Sequence, residues 1–300
     1  SLFFMILLIS STAFSQKNTD MKLEKELQVL IDSFHGTAGI YVRNLKTGKE
    51  VAINADTIFP TSSIIKIPIL VGIFNKIDSG EVTYHQPVIY LDSMAHGGSG
   101  LMQYFKDSTK IELNTAITLM ISHSDNTAAR WCEKLAGGGV AINAWLADHG
   151  FQFTRLNSRT PNREQAAEKF GWGQTTPREM ANLMVMIREG KAVSAAASER
   201  MYRDLTHIFW DEYALSQIPP YVQAASKQGM VDASRSEGVL VNAPHGDYVF
   251  YIATKNNKDT RWEPDNEAWQ LARNVSSLLW NYFETHYGWE PAAGVETYRN

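Results

Sequence analysis

The sequence of 300 residues contains one cysteine, Cys132, so an intramolecular disulfide is excluded and we expect this residue to be a small buried apolar group. It also lacks a basic excess: the net charge of -4 argues against a nucleic-acid-binding protein. The eight histidines show neither His-Glu-x-x-His nor clustered spacing, so no metal and no cofactor are expected. The content of 44% hydrophobic residues is typical of a globular protein. We therefore expect a globular protein that acts on a small molecule or a peptide.

The apolar run from Leu2 to Ile9 is too short to cross a bilayer, and Ala13-Phe14-Ser15 follows it before Gln16. This pattern is typical of a secretory signal peptide. We therefore expect residues 1–15 to be a signal peptide, and the mature protein to be exported, periplasmic or secreted, with no membrane span. A buried N-terminal helix is the alternative interpretation.

Apolar spacing predicts a helix from Asp20 to His35 and a long last helix from Asn266 to Tyr287. Alternation predicts an antiparallel hairpin over 38–42 and 51–53, followed by the segment that carries Ser63. No strand pattern then appears for more than a hundred residues, where helical spacing covers 113–122, 127–135, 141–148 and 178–188. Strand patterns return at 224–231, 238–242 and 248–253.

This order predicts an α/β (α+β) fold in which five strands form one antiparallel sheet flanked by the two terminal helices. The helical block is then an inserted all-α domain. We expect a discontinuous α/β domain over 20–58 and 200–300, and an all-α domain over 59–199. A site would form in the cleft between the two domains.

Ser63 and Lys66 stand three residues apart at the start of a predicted helix, so they share one face and the amine can reach the hydroxyl. A serine is a weak nucleophile until a base takes its proton, and a lysine can be that base when burial or nearby positive charge lowers its pKa. Taken alone, the pattern is as typical of a solvated helix face.

Two further short motifs carry polar groups. In Ser124-Asp125-Asn126, Ser124 can relay a proton, Asn126 can bind an amide and Asp125 can hold the turn, although a plain helix cap is the simpler interpretation. On a predicted strand, Lys227-Gln228-Gly229 offers positive charge for a carboxylate and a glycine that permits close approach of a substrate. An exposed edge-strand lysine is the alternative there.

The order Ser-x-x-Lys, Ser-Asp-Asn, Lys-x-Gly on this helix and strand pattern resembles the penicillin-recognising serine hydrolases, and class A β-lactamases most closely. The resemblance implies a β-lactamase/transpeptidase-like fold and an acyl-enzyme formed on Ser63. It implies that Lys66 and Ser124 move protons, and that the backbone N–H groups of Ser63 and Met230 form the oxyanion hole. It further implies substrate binding by these residues: Asn126, Lys227, Gln228, Gly229, Met230 and Arg235.

The resemblance weakens in the loop after Arg155. Class A enzymes activate the deacylating water with a glutamate followed by proline, and this chain has Thr160-Pro161 at that place. Threonine cannot act as the base, so our hypothesis is that Glu164 takes over, with Glu168 a weaker candidate.

The functional expectation is therefore a serine hydrolase that opens β-lactams through a Ser63 acyl-enzyme and works as a monomer without a cofactor. One alternative is a cell-wall D,D-peptidase or esterase acting on a D-alanyl peptide with the same Ser63 and Lys66. A second alternative is a penicillin-binding sensor that acylates and deacylates slowly, which the missing glutamate favours.

Overall fold

A computed structural model describes residues 18–298, so the predicted signal peptide at residues 1–15 lies outside the described residues. Besides further short 3₁₀ turns, the elements in chain order are α1 (Met21–Asp32), β1 (Thr37–Asn44), β2 (Glu50–Ile53), β3 (Phe59–Pro60), a 3₁₀ turn (Ser62–Ile65), α2 (Lys66–Asp78), β4 (Pro87–Ile89), β5 (Lys110–Glu112), α3 (Leu113–Ser122), α4 (Asn126–Leu135), α5 (Gly138–Asp148), β6 (Arg155–Leu156), α6 (Glu164–Phe170), β7 (Gly173–Thr175), α7 (Pro177–Arg188), α8 (Ala195–Leu205), β8 (Ala224–Val231), β9 (Ser234–Val241), β10 (Tyr248–Lys255) and α9 (Glu267–Phe283).

The main sheet has five antiparallel strands in the order β2-β1-β10-β9-β8, which confirms the predicted fold class. Strand alternation gives the sheet two buried faces. On one face Ile40, Val239 and Phe250 pack with the two terminal helices. On the other face Leu240 and Tyr251 belong to the core that includes the remaining helices. Strand β8 is an edge strand, so one of its sides is free to border a cleft.

The terminal helices form where the sequence predicts them. Leu23, Leu27 and Ile31 recur at helical spacing in α1 and are buried, and the Asp20 carboxylate accepts a hydrogen bond from the Leu23 N–H at its start. Asn266 caps α9 in the same way through the N–H of Ala268. Both helices therefore bury an apolar stripe on the sheet and leave its opposite face for the helical region.

Helix α2 is the centre of the helical region, because every residue from Lys66 to Phe74 is buried. Pro68 lies in its first turn, and the segment just before it, which holds Ser63, is a 3₁₀ turn rather than α-helix. A proline cannot donate the backbone hydrogen bond that would extend the α-helix backward, and a tighter 3₁₀ turn precedes α2. Ser63 therefore lies in the 3₁₀ turn, and Lys66 is the first residue of α2.

The structure corrects two expectations about the region 59–199, its all-α composition and its second boundary. It is not all-α, because it contains the short strands β4 with β5, and β3 with β7 and β6. Strands of two or three residues leave no alternating pattern to detect. The boundary at residue 199 falls inside α8, which runs from Ala195 to Leu205. Gly137, with φ of +88°, is the residue that separates α4 from α5, while Gly138 already belongs to α5.

Candidate active site

Ser63 lies on a turn that is held from both sides. The preceding strand β3 pairs with β7, and the Thr61 N–H donates to the Gly173 carbonyl at 2.9 Å. On the other side Gly229 of β8 approaches so closely that a Cβ there would lie 2.3 Å from the Thr61 carbonyl oxygen and 3.0 Å from the Ser63 nitrogen. The glycine therefore serves contact with the protein's own turn, whereas the sequence suggested contact with a substrate.

Lys66 is completely buried and its amine reaches the other polar groups of the site. Lys66 Nζ lies 2.9 Å from Ser63 Oγ and 3.1 Å from Ser124 Oγ. It also donates to Asn126 Oδ1 at 2.7 Å and to the Ser124 carbonyl. One amine thus links the first two sequence motifs, which are separated by helix α2 and the segments after it.

The turn that carries Ser124 joins α3 to α4 and is fixed by Asp125. The buried Asp125 carboxylate accepts hydrogen bonds from the N–H groups of Leu101, Met102 and Ala128, at 2.6, 2.7 and 2.8 Å. These bonds cap α4 and attach the 96–102 loop to it. Ser124 itself has φ of +54°, a conformation that a serine adopts only when its surroundings impose it.

The third motif completes the cluster from β8. Lys227 is fully buried, and its Nζ lies 3.0 Å from Ser124 Oγ, so this hydroxyl contacts both lysine amines. Lys227 Nζ also donates to the Gln228 carbonyl at 3.1 Å and to Gln228 Oε1 at 3.3 Å. The Gln228 side chain therefore folds back toward the amine of Lys227, the residue before it on the edge strand. Next to it, Met230 is partly exposed beside the Ser63 turn.

Burial shifts the pKa of both lysines downward. Loss of hydration holds the pKa of Lys66 well below its usual value, and the nearby positive charge of Lys227 lowers it further. Burial also lowers the pKa of Lys227 to about 7, although the charge of Glu237 acts in the opposite direction. A neutral Lys66 can accept the Ser63 proton, and this arrangement can therefore activate the serine as a nucleophile.

Comparison with known proteins agrees with this geometry. A model of the beta-lactamase enzyme family matches residues 22–283. The chain belongs to the beta-lactamase enzyme family. Beta-lactamase VEB-1 of Pseudomonas aeruginosa is 22% identical over 299 residues, covering 94% of this chain and 95% of that protein. Two solved structures share the fold. PBP-A, as a leucine-to-glutamate mutant in an acyl-enzyme complex with penicillin G, has a TM-score of 0.79 and 26% identity, covering 89% of this chain and 98% of that one. A beta-lactamase from Sphaerobacter thermophilus has a TM-score of 0.79 and 21% identity, covering 89% and 99%.

This beta-lactamase-family chain does not present Arg235 to the lysine cluster. The Arg235 side chain is buried, and its guanidinium donates to the carbonyls of Asp232, Ser234 and Arg261. It also lies 4.6 Å from the ring centroid of Trp262. Register explains the placement, since Arg235 pairs with Met230 and so projects on the sheet face opposite to Lys227. Arg235 therefore lies apart from the lysine cluster, and its predicted contact with a substrate carboxylate stays a prediction.

The loop between β6 and β7 carries Glu164, Glu168 and Thr160. Glu164 is exposed, and its carboxylate accepts a hydrogen bond from the N–H of Asn162 at 3.2 Å. Glu168 is exposed on the same short helix. Thr160 is buried against Gly139, where a Cβ would lie 1.9 Å from the threonine Oγ1. No hydrogen bond joins any of these side chains to Lys66 among the described residues, and the role of Glu164 as deacylating base stays a prediction.

What the loop does bring to Lys66 is a tryptophan that the sequence analysis missed. The centroid of the Trp172 ring lies 5.5 Å from Lys66 Nζ. Its indole Nε1 donates to the buried Glu133 at 3.2 Å, and Glu133 also pairs with Arg159 at 2.6 Å. A lone tryptophan between two short elements has no sequence signal that marks it as a site residue.

The 96–100 loop lies beside the same cluster. The Asn126 side chain donates to the Gly97 carbonyl at 3.0 Å, and its backbone N–H donates to the Ser99 carbonyl. Within residues 18–298, no helix is long and apolar enough to cross a membrane, and no group of acidic, histidine or cysteine side chains can hold a metal ion.

Proposed function

We propose that this member of the beta-lactamase family hydrolyses β-lactams through an acyl-enzyme on Ser63. One observation carries the proposal: Lys66 Nζ is fully buried and lies 2.9 Å from Ser63 Oγ. A buried amine in contact with a serine hydroxyl has little structural value, because burying it costs free energy. It is the arrangement that activates a nucleophile.

In the acylation step, neutral Lys66 takes the proton of Ser63 while Ser63 Oγ attacks the lactam carbonyl carbon. The negative charge that develops on the carbonyl oxygen is stabilised by the N–H groups of Ser63 and Met230. The C–N bond of the ring then breaks. Ser124, which contacts both lysine amines, gives its hydroxyl proton to the departing nitrogen and takes the extra proton from Lys66, so both return to their starting states.

Two polar side chains near Ser63 provide the contacts for substrate binding. Lys227 supplies positive charge for the substrate carboxylate, and Asn126 supplies an amide for the acylamide side chain. Gln228 stands where the family usually has threonine or serine. Because Gln228 Oε1 already contacts Lys227 Nζ at 3.3 Å, a bound carboxylate has to share that amine with the glutamine.

A chromogenic cephalosporin tests the proposal when turnover and the mass of the intact protein are followed together. We expect many turnovers per molecule, a transient adduct, and loss of both in Ser63→Ala. A persistent adduct without turnover would instead favour the penicillin-binding sensor. Slow turnover together with release of D-alanine from a D-alanyl peptide would favour the peptidase. Absence of any adduct would refute acylation at Ser63.

We also propose that the enzyme is exported to the periplasm or secreted, after removal of residues 1–15, and acts as a monomer. The division into a discontinuous α/β domain and an inserted, mainly helical domain is part of the same proposal, with the second boundary placed after α8 because residue 199 lies inside that helix. N-terminal sequencing of protein recovered outside the cytoplasm tests the cleavage after residue 15. Light scattering of the purified protein tests the monomer.

A further inference from the structure

The indole ring of Trp172, from the loop between β6 and β7, lies next to the base of the site. Lys66 is completely buried, whereas Trp172 is only partly buried and lies 5.5 Å from Lys66 Nζ. The ring therefore stands between the amine and solvent on the side of the β6–β7 loop. An apolar ring at this place offers no lone pair to orient a water molecule.

The ring is held by contacts at its edge and its face. Its Nε1 donates to Glu133 Oε2 at 3.2 Å, and the same oxygen accepts from Arg159 at 2.6 Å. The Arg159 guanidinium lies 5.6 Å from the ring centroid. Glu133 is buried on α4, the helix that begins at Asn126, so the anchor is part of the rigid scaffold of the site.

Deacylation needs a water molecule next to Lys66. In that step water attacks the ester carbonyl, its proton passes to Lys66, the bond from the carbonyl carbon to Ser63 Oγ breaks, and Lys66 returns the proton to Ser63. Once Ser63 is acylated it no longer donates a proton to Lys66, so the amine has a free lone pair for that water. A ring that covers the amine limits how often water can occupy this place.

We propose that Trp172 controls the lifetime of the Ser63 acyl-enzyme by shielding Lys66 from the hydrolytic water. Trp172 is thus a residue that governs the second half of the reaction and leaves the first half unaffected. Glu133 and Arg159 are positioning residues that hold the ring in place. The inference rests on the proposed function, because it requires that Ser63 is acylated at all.

The test compares adduct formation and adduct decay with a penicillin, followed by the mass of the intact protein. Trp172→Ala should shorten the lifetime of the adduct by about tenfold or more. At a pH at which Lys66 is neutral in both proteins, the rate of adduct formation should stay within about threefold of the parental rate. Trp172→Phe, which keeps an apolar ring and loses the bond to Glu133, should shorten the lifetime less. Added methanol should capture the acyl group in Trp172→Ala and not in the parent protein, a readout that a purely structural role would not move.

The matched control is Trp131→Ala, because Trp131 is also partly buried and its ring lies 5.7 Å from a lysine amine, that of Lys134, away from the site. Its adduct should decay as in the parent protein. An unchanged or longer lifetime in both Trp172 variants, or an equal shortening in the control, overturns the inference. Failure of the parent protein to form any adduct would instead overturn the proposed function, so the two failures are distinguishable.

Discussion

Replacing Gly229 by alanine tests whether acylation depends on the close approach of β8 to the turn that carries Ser63. The backbone of Gly229 does not adopt a positive φ, so alanine is compatible with the strand itself. The added methyl group, however, would lie 2.3 Å from the Thr61 carbonyl oxygen and 2.9 Å from the Ile64 nitrogen, both in the turn that surrounds Ser63. The obstacle is backbone, which cannot turn aside like a flexible side chain.

The magnitude follows from the distance. Ordinary contact begins near 3.4 Å, so β8 or the Ser63 turn has to move by about 1 Å. A misplacement of that size in reacting groups costs about a hundredfold in rate. Overpacking of a close contact costs about 1–3 kcal/mol of folding stability. Gly229→Ala should therefore fold, with a lowered Tm, and acylate about a hundredfold more slowly.

The assay is the rate of covalent labelling by a fluorescent penicillin, with Tm measured on the same samples. Gly288→Ala is the matched control, because a Cβ at Gly288 would meet no atom within 4 Å. It should label and unfold like the parent protein. Labelling of Gly229→Ala at the parental rate with an unchanged Tm would refute the argument from close approach.

Four further predictions concern ionisable groups. The charge of Lys227 lowers the pKa of Lys66, so Lys227→Met should raise the pKa of Lys66. The labelling rate falls at acidic pH, where Lys66 becomes protonated, and in this variant the fall should occur at a higher pH. A fall at the same pH as in the parent protein would contradict this. Burial raises the pKa of Glu237 from its ordinary 4.5 to about 7, so the folded state binds this proton more tightly than the unfolded chain. The free energy of unfolding should then decline by about 3 kcal/mol as pH rises from 4.5 to about 7. Denaturant titrations of Glu237→Gln should show a free energy of unfolding that depends less on pH. Glu164→Gln should keep the parental rate of cephalosporin turnover, since Glu164 is exposed, and a large loss would support its role as the deacylating base. Cys132 is buried and its pKa is raised by that burial, so a thiol reagent should react after unfolding and leave the native protein unlabelled.

The elements and the central cluster could be predicted from local patterns. Helical spacing and alternation are properties of neighbouring residues, which is why α1, α9 and the strands of the main sheet appear where expected. The first two short motifs lie at the starts of helices, and the third, Lys227-Gln228-Gly229, lies within a strand that the pattern locates. Their convergence on Lys66 could be anticipated only through the resemblance to a known family, because no local rule states that β8 passes beside α2.

Register and loop paths could not be predicted in this way. The turn between β8 and β9 pairs Val231 with Ser234, which puts Arg235 on the face opposite to Lys227, and a shift by one residue would have reversed that outcome. The path of the β6–β7 loop leaves Glu164 in solvent and brings Trp172 against Lys66.

The sequence by itself therefore predicted the fold class and named Ser63 and Lys66 as the candidate nucleophile and base. Only the tertiary structure decided which face Arg235 occupies and which side chain stands over Lys66. The physical reason is that periodicity reports which residues are buried within an element. The meeting of distant side chains depends instead on strand register and on the packing of irregular segments, which leave no periodic signal.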